Sequence, residues 1–221
     1  MSTQRSNAVP PLEAGLVIFL TLFITMFVCT IILLILGTEV ALIAGELLIL
    51  IVPLIYLMSK RINIKDYINI QFTSKNFLIG LVCALLLFLL NIAASALLTA
   101  IFGNSQAVIG SNTTLINLSS TGLGLITVVL SLSLAGICEE FALRGFLQNS
   151  LTKRFSFLPA VVISSLVFGI FHFDIQFFYI IATFISGLAL GAIYYKWGYI
   201  TAATAHSVMN LIVLSFLLLG I

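Results

Sequence analysis

Charge is what this sequence has least of. Only 7% of its 221 residues are Asp, Glu, Lys or Arg, while 62% are hydrophobic. With a mean hydropathy of +1.28, that balance excludes a water-soluble fold of this length. Nine basic residues spread along so apolar a chain also exclude a nucleic-acid-binding surface. Cysteine is scarce as well: Cys29, Cys83 and Cys138 are odd in number and lie in apolar runs, so no disulfide framework is implied. There is no tandem repeat, no long polar linker and no HExxH zinc-protease motif. Ser131, Ser133 and Ser164 lack the GxSx loop that a serine nucleophile of rhomboid type requires. Histidine occurs only twice, so each histidine carries information.

What is present is a series of apolar runs, each near the roughly 20 residues needed to cross hydrocarbon. They lie at Leu12 to Leu36, Val40 to Met58, Phe77 to Phe102, Leu123 to Gln148, Leu158 to Phe171, Phe177 to Tyr195 and Tyr199 to Leu219. The expected fold class is therefore an all-α polytopic membrane protein, a bundle of about seven transmembrane helices with the active site inside the bundle. We expect one integral membrane domain, 1–221, with a cytoplasmic tail at 1–11 and the chemistry-bearing helices at 123–221. The first run is too long for a secretory h-region and has no small-residue cleavage site, so it reads as a retained span. Pro10, Pro11, Gly37, Gly103, Pro159 and Gly198 punctuate span ends, and Pro53 lies inside the second span.

The basic residues sort by side. Arg5, Lys60, Arg61, Lys65, Lys75, Lys153, Arg154 and Lys196 all fall in segments on one side of a seven-span arrangement, and the opposite loops have none. The positive-inside rule places the N-terminus in the cytoplasm and the C-terminus outside. The expected location is a bacterial or archaeal cell membrane. Ser59 to Lys75 alternates basic with apolar residues and reads as an anchor in the cytoplasmic interface. Gly187 and Gly191 form a GxxxG that suggests close packing within the bundle. Asn112 and Asn117 begin glycosylation-type triplets in a loop expected to be external.

Arg144 breaks the partition, because it lies within a span together with Glu139 and Glu140. An ionised residue at a helix centre costs about 2.5–3.5 kcal/mol on insertion scales, so the cluster needs an offset. Glu140 and Arg144 are four apart with the acid N-terminal, the favoured order for a helical ion pair. Glu139 points about 100° away on the helix and lacks such a partner. His172 and His206 also lie in apolar runs, with Phe168 one turn before the first and Asn210 one turn after the second. Spans four and five should form a hairpin that turns near residue 155, which puts Glu139 and His172 at one depth, roughly 25 Å from the turn. Span seven would bring His206 and Asn210 to the same cavity. A carboxylate and an imidazole can activate water toward a carbonyl carbon, and His206 with the Asn210 amide could hold the oxyanion.

The motifs Glu139-Glu140-x-x-x-Arg144, Phe168-x-x-x-His172 and His206-x-x-x-Asn210, in that order on three spans, resemble the CAAX protease and bacteriocin-processing family of intramembrane glutamate proteases. The resemblance runs from about Leu123 to Leu211. It implies a metal-independent endopeptidase in which Glu139 and His172 activate water, His206 and Asn210 hold the oxyanion, and Glu140, Arg144 and Phe168 support the site. It implies a peptide or protein substrate, prenylated or membrane-associated, without naming one. Some members of the family have eight spans.

Other chemistries stay open at this stage. Two histidines and a carboxylate, His172, His206 and Glu139, suit catalytic zinc. Cys138 could serve as a nucleophile for His172, although a thiol on an apolar helix is usually inert. Asp174 could orient His172 or cap the next helix. A non-catalytic protein is the rival of a different class, as an immunity scaffold or a carrier using Glu139 as its proton site.

Overall fold

The computed structural model describes residues 8–172 and 174–220. The expected tail therefore lies mostly outside the described residues, Arg5 included. Among those described, every regular element is a helix: α1 (Pro11–Leu36), α2 (Thr38–Ser59), the single turn α3 (Ile64–Tyr67), α4 (Ser74–Phe102), α5 (Gln106–Leu118), α6 (Gly122–Thr152), α7 (Phe157–Phe171), α8 (Phe178–Trp197) and α9 (Tyr199–Leu219). In a medium without water each backbone N–H and C=O must find its partner inside the segment, which helices alone achieve without closing a barrel.

Each of the seven apolar runs is a helix, but the fifth differs from the expected span. Six helices (α1, α2, α4, α6, α8 and α9) are long and apolar enough to cross a membrane. Helix α7 has 15 residues, about 22 Å at 1.5 Å each, against roughly 30 Å of hydrocarbon. It ends at Phe171, and His172 follows with φ −97° and ψ 50°, outside the helical region. The segment expected to be a plain external loop holds α5, whose Ser105 side chain caps its first turn. Asn112 and Asn117 thus sit on a helix.

The interior combines an apolar core with a set of fully buried polar side chains, and large apolar side chains cover the outside. Phe19, Phe23, Leu34, Leu86 and Leu89 point outward, whereas Arg144, Gln148, Glu140 and Thr201 are fully buried. Helix α9 packs against α4, α6 and α8; α1 packs on α2, α2 on α6, and α7 on α8. Close approach of α6 and α9 depends on Gly136, where an added Cβ would fall 2.4 Å from the Ser207 amide nitrogen. Across that contact Ser207 Oγ donates to the Ser133 carbonyl at 2.7 Å.

The basic ends of the helices are tied together by residues 67–69. Tyr67 and Ile68 are buried, so this segment is a plug and does not merely lie in the interface as its alternating sequence suggests. Tyr67 Oη donates to the Phe146 carbonyl at 3.3 Å, Asn149 donates to the Tyr67 carbonyl, and Tyr194 Oη donates to the Ile68 carbonyl at 3.2 Å. Ser150 Oγ reaches the Val9 carbonyl at 2.7 Å and fixes the start of α1. Pro53 stays within α2, buried.

Candidate active site

Helix α6 changes character where its polar residues begin. From Phe141 to Gln148 the backbone is a π-helix, a wider coil with i→i+5 bonding. Such segments are uncommon and frequent at functional sites. This one starts directly after Glu139 and Glu140 and carries Arg144 and Gln148 toward α8.

The expected ion pair is present. Arg144 Nη1 donates to Glu140 Oε1 at 2.9 Å, with both side chains 0% exposed. Arg144 Nη2 also donates to the Gly187 carbonyl at 3.2 Å, and one turn on Gln148 Nε2 donates to the Gly191 carbonyl at 2.9 Å. The GxxxG therefore packs inside the bundle: a Cβ at Gly187 would meet Ser165 and Phe168 of α7, and one at Gly191 would meet Gln148 and Val161. The bare backbone lets α6 and α7 close on α8. Glu140 Oε2 and Arg144 Nε make no protein hydrogen bond among the described residues.

Phe168 is the hub that this arrangement surrounds. The Arg144 guanidinium lies over its ring, 4.5 Å from the centroid. The His172 and His206 rings meet it edge-on, at 4.9 and 5.8 Å between centroids. A single aromatic ring thus fixes the cation and both imidazoles relative to one another through the negative face and positive edge of its π-system.

The two histidines are held differently. His172 Nδ1 is 3.0 Å from the Phe168 carbonyl oxygen. A carbonyl can only accept, so Nδ1 carries the proton and, in the neutral ring, Nε2 carries the lone pair. His206 is buried at 4% exposure between the two acids. Its Nδ1 lies 3.0 Å from Glu140 Oε1, and its Nε2 lies 3.8 Å from Glu139 Oε2. The second distance is too long for a hydrogen bond, so Glu139 and Nε2 face each other across a gap. Asn210 Nδ2 donates to the Leu132 carbonyl at 3.3 Å, which anchors it to α6 and leaves one N–H and its carbonyl oxygen. Asp174 caps α8, accepting from the Gln176 and Tyr179 amides at 2.9 and 3.1 Å.

Of the seven residues singled out in the sequence, Glu139, Glu140 and Arg144 lie on α6, Phe168 on α7 and His206 and Asn210 on α9, while His172 directly follows the end of α7. His206 Nε2 faces the Glu139 carboxylate, while His172 is held by the carbonyl and the ring of Phe168. Among the described residues no three His, Cys, Asp or Glu side chains are grouped to hold a metal ion, so Glu139, His172 and His206 are not assembled as a ligand set. Cys138 is buried beside them, and all three cysteines are free.

Sequence reading passed over Glu46. It sits in α2, two turns into the helix, and its buried Oε2 has no hydrogen-bond partner among the described residues. Its signal was available: it is an acid inside an apolar run with no base within a turn.

Residues 121–212 match the family model described as Type II CAAX prenyl endopeptidase Rce1-like. The match spans the segment that holds the site and agrees with the resemblance carried by the three motifs. No curated protein and no solved structure matches the chain.

Proposed function

We propose that the protein is an intramembrane endopeptidase of the glutamate type, in which water activated by Glu139 and His172 attacks a peptide carbonyl without a metal ion. The observation that carries the reading is the 3.8 Å gap between the Glu139 carboxylate and His206 Nε2, inside the bundle and bounded by Phe168. Two groups held this close without bonding to each other have capacity for a third.

In this reading a water molecule at the Glu139 carboxylate gives up one proton as its oxygen bonds to the carbonyl carbon. Glu139 takes that proton and later delivers it to the leaving amine. His172 presents the lone pair of Nε2 toward the same water, because its Nδ1–H is committed to the Phe168 carbonyl. Negative charge then develops on the carbonyl oxygen. His206 serves as donor through Nε2–H when its ring carries both protons, since Nδ1–H is taken by Glu140, and Asn210 donates through the amide N–H not used on Leu132. Glu140 keeps the His206 ring in place through Nδ1, and Arg144 holds Glu140. The substrate is a peptide or protein that reaches the site from the membrane or its surface. We propose a cytoplasmic N-terminus, so that the basic ends of the helices lie inside the cell.

The test is cleavage of a reporter peptide, prenylated and unprenylated, by purified protein in vesicles. Glu139→Gln and His172→Ala should each lower the rate on the order of 10²–10⁴-fold while leaving the folded fraction unchanged. Saturating chelator should leave the wild-type rate as it was. Cleavage that survives Glu139→Gln would overturn the reading, and loss of activity on chelation restored by zinc would replace it with metal chemistry.

A further inference from the structure

Glu46 is a titratable group inside the bundle that the mechanism above does not use. Helix α2 buries Ile49, Pro53 and Leu57, a stripe with a spacing of four. Glu46, three residues before Ile49, continues that stripe by one turn, on a helix that packs against both α1 and α6. Neighbouring Gly45 lies close to Cys29 of α1, 3.4 Å from its Sγ to where a Cβ would stand. The titratable groups around Glu46 are thus Cys29 from α1 and Cys138 and Glu139 from α6, all of which interact with it electrostatically. Glu139 is the charge that bears on Glu46 itself. The cytoplasmic-end turn α3, which also touches α2, is more than three turns of helix away.

Two carboxylates that interact across surroundings of low polarity do not both ionise, because neither water nor salt screens their repulsion. The proton goes to the one with less positive charge nearby. Glu139 has His206 Nε2 at 3.8 Å and lies in the field of Arg144. Glu46 has neither, and its buried Oε2 finds no partner among the described residues. We propose that Glu46 is a positioning residue of the same site that shares one proton with Glu139 and holds it at rest, so that Glu139 is the carboxylate left ionised. The proposal rests on the reading of Glu139 as the base. In the reaction Glu139 takes the proton of the attacking water while the Glu46 proton stays where it is. A neutral Glu46 spares the site a second negative charge as the oxyanion forms, and ionising it slows the enzyme.

The experiment combines infrared spectroscopy with pH profiles on the full chain in lipid nanodiscs. At neutral pH the wild type should show the C=O stretch of a protonated carboxylic acid, shifted by deuterium exchange. Glu46→Gln should remove this band and Glu139→Gln should retain it. Because Gln is isosteric with a protonated Glu, Glu46→Gln should cleave the reporter within about threefold of the wild type at neutral pH, and should keep its rate at alkaline pH where the wild type slows. No such band in the wild type, or a band that survives Glu46→Gln, would overturn the proposal. So would a loss in Glu46→Gln as large as in Glu139→Gln, since Glu46 would then itself be the reacting base. If Glu139→Gln cleaves normally while the band still assigns to Glu46, the shared proton stands and the protease reading is what fails.

Discussion

Arg144 is among the largest side chains that the bundle buries completely, and it is held on three sides: by the Glu140 carboxylate, the Gly187 carbonyl and the face of Phe168. A buried pair of this kind is weak evidence of net stabilisation, but removing one member strands the other. Arg144→Ala leaves Glu140 with only the imidazole of His206, and we expect it to lower folding stability by about 3–5 kcal/mol, read by denaturant titration in mixed micelles. Arg144→Lys keeps the charge but gives up the planar fork that serves Glu140 and Gly187 together, so its loss should be intermediate. Glu139→Gln should leave the same titration curve within about 0.5 kcal/mol of the wild type, because Glu139 makes no hydrogen bond among the described residues. Arg144 and Glu139 are therefore separable: one variant changes stability and the other changes chemistry. If Arg144→Ala unfolds at the wild-type denaturant concentration, the interior around Glu140 is wetter than its burial indicates.

At the scale of helices, the register of α6 against α9 sets the site, because Glu139 and Glu140 lie on one and His206 and Asn210 on the other. Gly136 is the contact that permits it. A methyl group there would meet the Ser207 backbone, which no side-chain rotation relieves. Gly136→Ala should push α9 away from α6, at a cost of about 1–3 kcal/mol in stability. It should also slow cleavage by on the order of 10²-fold, since displacement of about 1 Å suffices for that. The sharper readout is that adding Ser207→Gly to Gly136→Ala leaves most of both losses in place, because the backbone atoms that meet the methyl group remain; full recovery would show that the Ser207 side chain alone sets the spacing. The helices themselves were legible in the sequence. Apolar runs mark spans because hydrocarbon tolerates little else, and the spacing of four from Glu140 to Arg144 sufficed to give their ion pair. Two features at this scale were not. The π-helical stretch of α6 has no compositional mark, since FALRGFLQ reads as ordinary helix, and its widening comes from packing against α7 and α8. The rotation of α7, which turns His172 onto Phe168 and leaves Glu139 to His206, is fixed by contacts between helices far apart in sequence. Glu46 belongs with these: its place on α2 was readable, but its interaction with Glu139 depends on the packing of α2 on α6.

Across the whole molecule, the arrangement follows from α7 being too short to cross. A helix of 15 residues that starts with the basic ends of its neighbours stops about 22 Å along, so His172 falls short of the far ends of α6 and α8, and residues 174–177 lead up to the start of α8. Irregular backbone at that depth is tolerated where protein surrounds it. Here Asp174 satisfies the amides that start α8, and Gln176 Oε1 accepts from the Gln106 amide at the start of α5. Helix α5 and this segment thus form one connected layer over the end of the bundle opposite residues 67–69. The site should open to water on one face only, and the basic residues predict which face is cytoplasmic. In a background with Cys29, Cys83 and Cys138 replaced, single cysteines at Arg61 and Ser156 should react with a membrane-impermeant thiol reagent only in inside-out vesicles. Cysteines at Asn117 and Gly103 should react only in right-side-out vesicles. Labelling of Arg61 and Ser156 from opposite sides would break the antiparallel order of α6 and its neighbours. Labelling of both from outside would invert the whole bundle and bring substrate to the site from the external face.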